Sequence, residues 1–217
     1  MAKFLKIFDH NLVSKTESIH TLTDLEKQLY NSTHMKRLLY STNGIQFRYI
    51  TTDDLEPLRV LHNDPSTLHM LTDTTYVTPE MQKRWHKSLY TSSKRGHYAI
   101  YAKAARENEK ARIQLVGIAR LDQIDSINKN MLLGLDIAPE FRGQGLGKKA
   151  FAALMKYGTT KLKMHKLTLY TAKYNKVAIS MYTSLGFTKE GLLKQHLYRD
   201  GKFFDLFIMS YFKKASK

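Results

Sequence analysis

The chain has 217 residues, of which 42% are hydrophobic and 25% charged, so it carries enough apolar material to build one domain with a core. Thirty-five Lys and Arg against nineteen Asp and Glu give a formal charge of +16, and cysteine is absent. Disulfides, thiolate metal sites and a thiol nucleophile are therefore excluded, and no run of eighteen apolar residues offers a membrane helix.

The opening stretch breaks its apolar run with Lys6 and Asp9, so it lacks the hydrophobic segment of a secretory signal and the expected location is the cytoplasm. The basic charge favours polyanions. Its cationic residues are dispersed, however, with no block of five in a row, so nucleic acid is not expected as the main partner.

Residues 1–44 read as an N-terminal extension of unassigned role. Thr23 and Glu26 form a capping-box pattern, and Leu22, Leu25, Leu29, Leu38 and Leu39 supply a partial apolar stripe, which predicts a helix from Thr21 to Tyr40. Asn43-Gly44 then makes a turn. The main domain, residues 45–217, opens with an alternating strand, Ile45–Ile50. Thr52-Asp53-Asp54 supplies capping chemistry for a helix to about His62. A second helix follows Pro79, with Met81, Trp85 and Leu89 at helical spacing.

Strands are expected at His97–Lys103 and Ile113–Leu121, joined by the polar loop Arg106–Arg112. Met131–Ile137 is nearly all apolar and belongs in mid-sheet. A glycine-rich turn then opens a helix from Leu146 to Lys161, with Leu146, Ala150, Leu154 and Tyr157 on one face. A short strand covers Lys166–Thr171, and a helix runs from Asn175 to Leu185, stopped by Gly186. Two last strands flank the hairpin pair Asp200-Gly201. The order predicts an α/β (α+β) domain: a mixed, mostly antiparallel sheet of six to seven strands flanked by about four helices.

The chemistry concentrates in Leu135-Asp-Ile-Ala-Pro-Glu-Phe-Arg-Gly-Gln-Gly-Leu-Gly-Lys-Lys149. This loop follows a strand and opens a helix, the setting in which backbone N–H groups and a helix N-terminus hold a phosphate. Gly143, Gly145 and Gly147 are expected to use positive φ and to let a ligand approach closely. Arg142 adds a planar cation, and Lys148 and Lys149 raise the local potential. The loop is not a Walker A sequence, because Lys148 is followed by Lys149. Nor does it have the Gly-x-Gly-x-x-Gly spacing of a dinucleotide fingerprint.

Arg142-x-x-Gly145-x-Gly147 resembles the Arg/Gln-x-x-Gly-x-Gly/Ala signature of GNAT (GCN5-related) N-acetyltransferases. Downstream, Asn175-Lys-Val-Ala-Ile-Ser-Met-Tyr-Thr-Ser-Leu-Gly-Phe187 is similar to that family's Asn-x-x-Ala-x-x-x-Tyr-x-x-x-Gly-Phe block. The resemblance runs from about Ile45 to Phe212, and Glu190-Gly191 with Asp200–Asp205 looks like the branch of ribosomal-protein, polyamine and nucleotide-amino-sugar acetyltransferases.

The resemblance implies acetyl-CoA as co-substrate, no metal, and direct attack by a primary amine in a ternary complex. That amine is a polyamine, an amino sugar or a protein N-terminus. Leu135, Asp136 and Ile137 are implied along the pantetheine arm, the first and last through their backbones. Arg142, Gly143, Gln144, Gly145, Leu146, Gly147 and Lys148 are implied around the pyrophosphate. Asn175 is implied as a hydrogen-bond partner of the arm and Tyr182 as the acid that protonates the leaving thiolate. Val177, Met181 and Leu185 read as that helix's apolar stripe, with Tyr182 beside it.

The pattern departs from the family where related enzymes carry a glutamate. Tyr170 and Met131-Leu-Leu stand in those places, which leaves Asp122, Asp125, Asp136 and His69 as candidate bases. His62, Asp64, His69 and Trp85 are candidates to line the acceptor site. A non-catalytic acyl-CoA sensor or RNA- or ribosome-binding module is the competing reading, and homodimerisation is left open.

Overall fold

The computed structural model describes residues 38–89 and 91–214. The helix expected from Thr21 lies outside them except for its end, and that end is not helical. Leu38–Thr42 forms strand β1, antiparallel to β2, Ile45–Tyr49. Asn43-Gly44 makes the turn between them, with φ of 50° and 77°. Two positive φ angles in an Asn-Gly pair close a tight hairpin. The apolar pair Leu38-Leu39 is thus drawn into the sheet rather than into a helix stripe.

Helix α1 spans Thr52–Asn63. Its N-cap is Thr51, where Asp54 accepts from the Thr51 N–H and hydroxyl, both at 2.9 Å. The buried Asp54 also accepts from the Tyr101 hydroxyl at 2.5 Å, which ties the start of α1 to the sheet. A short helix α2, Pro65–Leu68, follows, and α3 covers Pro79–Ser88 with Thr78 accepting from the Met81 N–H.

Strands β3 (Gly96–Ala104), β4 (Arg112–Asp125) and β5 (Asn130–Ile137) form an antiparallel meander. Helix α4 runs over Leu146–Lys156 and ends in a π-type turn, Tyr157–Lys161, so the regular helix is shorter than its apolar pattern suggests. The chain closes with β6 (Lys166–Ala172), α5 (Lys176–Ser184), β7 (Thr188–Arg199) and β8 (Lys202–Phe212).

The eight strands make one sheet in the order β1-β2-β3-β4-β5-β6-β8-β7. Only β5 and β6 run parallel. Among the described residues, eight strands and five helices exceed the expected six to seven and four. The additions are β1 and the one-turn α2, both too short to carry a periodicity.

Helices α1 and α3 pack on one face through Leu58, Leu61 and Leu89 against Ile50, Ala99 and Tyr101, with Trp85 and Ile118 at the margin. The other face receives α4 and α5. There, positions on α4 approach Ile137 and Met181, and the Phe151 ring packs against Tyr182 and edge-on to Phe187.

One close approach holds the meander in place. A Cβ on Gly117 of β4 would lie 2.1 Å from the Asp136 carbonyl oxygen of β5. Backbone cannot yield as a flexible side chain does, so Gly117→Ala must push the two strands apart. A loss of about 2 kcal/mol in urea unfolding is expected. Acetyl-CoA affinity should fall with it, since β5 borders the site described next. An unchanged midpoint would show that the strands accommodate the methyl.

Candidate active site

The parallel pairing of β5 with β6 is brief, joining Asn130–Leu132 to Lys166–Thr168. Beyond Leu132 the strands separate and leave a wedge. In an antiparallel ladder, alternate residues turn their N–H and C=O to the same neighbour. The Ala138 N–H donates to Val116 of the β4 side, and the register pairs Asp136 with Ile118 and Gly134 with Arg120. Residues 134, 136 and 138 therefore bond to β4, while Leu133, Leu135 and Ile137 turn their backbone groups into the wedge. An extended amide chain lying there would meet them as a strand does. Of these groups, the Ile137 carbonyl already accepts from Arg142 Nε at 2.9 Å.

At the open end lies the glycine loop. After the 3₁₀ turn Pro139–Phe141, Gly143 and Gly145 have φ of 77° and 73°, and Gly145 is the N-cap of α4. A Cβ at either would meet nothing within 4 Å. These glycines therefore border open space and are not needed for packing. The loop fits an anionic group over the first-turn N–H groups of Leu146, Gly147 and Lys148, which a helix leaves unpaired.

The expectation for Gly147 fails. Its φ is not positive, and a Cβ there would make ordinary contacts with Met181 Sδ at 3.7 Å and Ile137 Cγ1 at 3.8 Å. It lies inside the helix, where regular φ is required.

Arg142 behaves differently from a free cation. Its Nε donates to the Ile137 carbonyl at 2.9 Å, Nη1 to Ser66 Oγ at 2.6 Å and Nη2 to Thr67 Oγ1 at 2.6 Å. It fastens the end of β5 to α2. Gln144 donates to the Ala105 carbonyl at 3.1 Å and braces the loop from the β3–β4 side. Lys148 is exposed.

Asn175 is the N-cap of α5, and its side-chain oxygen accepts from the Ala178 N–H at 3.1 Å, which leaves the amide NH₂ for a ligand. The stripe expected on α5 is corrected. Val177 is 83% exposed, whereas Tyr182 is buried, since the helix turns Ala178 and Tyr182 inward. The Tyr182 ring packs at a tilt against Phe151, with centroids 4.8 Å apart. No side-chain hydrogen bond engages its hydroxyl among the described residues. Burial, and then the carboxylate of Asp136, push that hydroxyl up to about 12, while Arg120 acts in the opposite direction. It therefore stays protonated at neutral pH, the state a general acid requires.

Arg120 was not evident from the sequence. It stands on β4 within an otherwise apolar run, Leu115–Leu121, and a lone charge in such a run is the signal that could have found it. Its side chain lies over Gly134, whose absent Cβ would be 3.2 Å from Nε. From there Nη1 reaches Asp136 Oδ2 at 2.5 Å. Burial opposes its charge, but Asp136 and then Asp122 outweigh it, and the guanidinium is held more firmly protonated than usual.

Beside Arg120, Asp122 accepts through Oδ1 from His97 Nε2 at 3.1 Å, and the His97 ring faces Trp85 at 5.9 Å. The structure thus gathers Asp122 and Asp136 around one arginine, opposite Tyr182.

The other candidate bases are committed elsewhere. Asp125 caps the turn at Ile127 and Asn128. His69 packs at a tilt against Tyr174, with centroids 4.9 Å apart, and lies 3.7 Å from an Asp200 carboxylate oxygen. Of the acceptor-site candidates, Asp64 caps α2, His62 contacts the Thr75 carbonyl, and Trp85 alone borders the Arg120 cluster, through His97. Tyr170, in a glutamate's place, is 40% exposed on β6.

A family model described as the acetyltransferase (GNAT) domain matches residues 45–188. The chain belongs to that family. It is an acetyl-CoA-dependent N-acetyltransferase that moves an acetyl group to a primary amine, and acetyl-CoA is its co-substrate. Among its relatives is a spermidine N(1)-acetyltransferase of Escherichia coli, 27% identical over 164 residues, which make up 75% of this chain and 83% of that one. A putative ribosomal N-acetyltransferase of Bacillus subtilis is 29% identical over 100 residues, 46% of this chain and 55% of that one.

The fold matches the crystal structure of a spermidine N-acetyltransferase from Vibrio cholerae in complex with CoA and spermine. The TM-score is 0.71 at 22% identity, over 79% of this chain and 96% of that one. Among the described residues no helix is long and apolar enough to span a membrane.

Proposed function

We infer that this acetyltransferase acts on a primary amine of a small aliphatic polyamine, by direct attack on acetyl-CoA in a ternary complex. The observation that carries the reading is the common line of three features. The glycine loop anchors a pyrophosphate at the mouth of the wedge. Leu135 and Ile137 offer a backbone edge along it, and Tyr182 waits near its root with a protonated, unengaged hydroxyl. Four residue-to-residue steps of strand, from Ile137 back to Leu133, span about 13 Å. That brings the thioester end of an extended arm to the level of Gly134 and Arg120.

The polyamine assignment rests on the relatives and on local charge. The chain as a whole carries +16, which repels polycations but draws in the anionic coenzyme. At the wedge the balance reverses, because Asp122 and Asp136 surround a single guanidinium, and one carboxylate remains over for an ammonium. Relatives matched over three quarters of this chain acetylate spermidine by name, whereas the ribosomal relative matches under half of it. Cytoplasmic residence and self-association belong to the same reading. A spermidine N-acetyltransferase of Vibrio cholerae with this fold is dodecameric.

Thiol release from acetyl-CoA with spermidine, a nucleotide-linked amino sugar and a short peptide with a free N-terminus tests the assignment. A kcat/KM for spermidine at least ~10-fold above the others is expected, equivalent to about 1.4 kcal/mol of discrimination. A higher value for the sugar or the peptide would replace the acceptor.

A further inference from the structure

We propose that Asp122, oriented by His97, is the group that binds the acceptor's ammonium and takes the proton that makes it a nucleophile. The proposal rests on the acetyl-transfer reading above but not on which amine is the acceptor.

Two carboxylates stand beside Arg120, and they are not equivalent. Asp136 is locked, with Oδ2 at 2.5 Å from Arg120 Nη1. Asp122 uses only Oδ1, which accepts the His97 N–H, so Oδ2 is left for a ligand. Its side chain is 29% exposed, against 17% for Asp136, so Asp122 is the carboxylate that an incoming amine can reach.

His97 is itself buried, and its Nδ1 has no partner among the described residues. An ionised carboxylate can only accept, so Nε2 must carry the proton it donates to Asp122. Trp85 from α3 packs beside the imidazole and fixes its plane. The charged and titratable groups facing Asp122 are His97 from β3, Arg120 from its own strand and, beyond Arg120, Asp136 from β5. Tyr182 faces Arg120 from α5.

Position agrees with the role. Asp122 pairs in register with Leu132, the last residue of β5 in register with β6, and Arg120 pairs with Gly134 just inside the wedge. Asp122 therefore stands at the root of the wedge, on the face covered by α1 and α3. Tyr182 comes from the face covered by α4 and α5. An amine seated on Asp122 would meet the thioester carbonyl from the side opposite the acid.

The proton accounting closes. The ammonium gives one proton to Asp122 Oδ2, and the neutral nitrogen forms its bond to the carbonyl carbon. The C–S bond breaks with its electron pair on sulfur, which takes the proton of the Tyr182 hydroxyl. The nitrogen's second proton restores the Tyr182 hydroxyl. Asp122 releases its proton to solvent, so the sum is one amide, one thiol and one proton. In this scheme Asp122 and Tyr182 are catalytic, while His97 and Arg120 are positioning residues.

Asp122→Asn keeps the volume and the His97 contact and removes the charge. With the amine that the native enzyme uses fastest, kcat at pH 7 should fall by ~100-fold or more, and the KM for acetyl-CoA should hold. The deficit should shrink about tenfold per pH unit as the solution neutralises the amine instead. Calorimetric titration of that amine should show at least ~10-fold weaker binding at pH 7. His97→Gln, which keeps a donor, should cost less than Asp122→Asn. A deficit of constant size from pH 7 to 10, with unchanged amine affinity, would mean that Asp122 is structural and overturn the proposal. Failure of spermidine in the acceptor panel would revise the acceptor alone, since the Asp122 comparison is made on whichever amine turns over.

Discussion

Tyr182→Phe is expected to lower kcat by at least ~100-fold, the low end of what a positioned general acid supplies. The substitution leaves the ring, and the ring is what packs on Phe151 at 4.8 Å and faces Phe187 at 6.1 Å. The hydroxyl makes no hydrogen bond within the described protein, so its removal strands no buried partner. Stability should hold within about 1 kcal/mol, the net worth of one hydrogen bond. Acetyl-CoA affinity should also change little, because the lost interaction acts mainly as sulfur departs.

The pH profile supplies a second check. Burial pushes the hydroxyl up to about 12, so Tyr182 remains an acid through pH 10. Any fall in native kcat below pH 10 must then come from another group, and the phenylalanine variant should lack no titration in that range. A kcat within threefold of native, with an unchanged melting curve, would assign Tyr182 to packing and the proton to water.

Gly145→Val should weaken acetyl-CoA binding by at least ~10-fold, or about 1.4 kcal/mol. Two effects combine. At φ of 73° a β-branched residue is strained, at about 1–3 kcal/mol. Its side chain would also project into space that the protein leaves open, where nothing lies within 4 Å of the added Cβ. On the proposed binding mode, that space is where the pyrophosphate approaches the first-turn N–H groups of α4. Because no protein atom is displaced, the fold should survive with a modest drop in melting temperature. Gly147→Ala is the control, since its φ is regular and its Cβ contacts would be ordinary, so it should retain most affinity. Unchanged affinity in Gly145→Val by calorimetry would remove the loop from the pyrophosphate site.

The sequence determined by itself those features that local chemistry dictates. Asn43-Gly44 and Asp200-Gly201 could serve only as tight turns, and both do, with positive φ throughout. Pro79 behind Thr78 fixed the start of α3, and the apolar run of β5 required a place inside the sheet. The glycine loop was legible because positive φ at Gly143 and Gly145 leaves few other residues acceptable. The two motif blocks together named the family, and with it acetyl transfer.

Tertiary structure alone decided the rest, and the reason is the range over which the forces act. Leu38-Leu39 joined a strand because β2 offered an edge, and no local preference for helix could compete with that pairing. Val177 turned outward and Tyr182 inward because the sheet, and not the helix's own pattern, determined which side of α5 was buried. Arg142, read as a cation for phosphate, donates to Ile137, Ser66 and Thr67, and the last two lie 76 and 75 residues away.

The cluster at the wedge was the least legible of all. His97, Arg120, Asp122 and Asp136 come from three strands, and they meet because antiparallel register places them on one face. Gly134 leaves room for the guanidinium to cross to its carboxylate. A charge within an apolar strand marks its position in the sequence; only the register of its neighbours says what it serves.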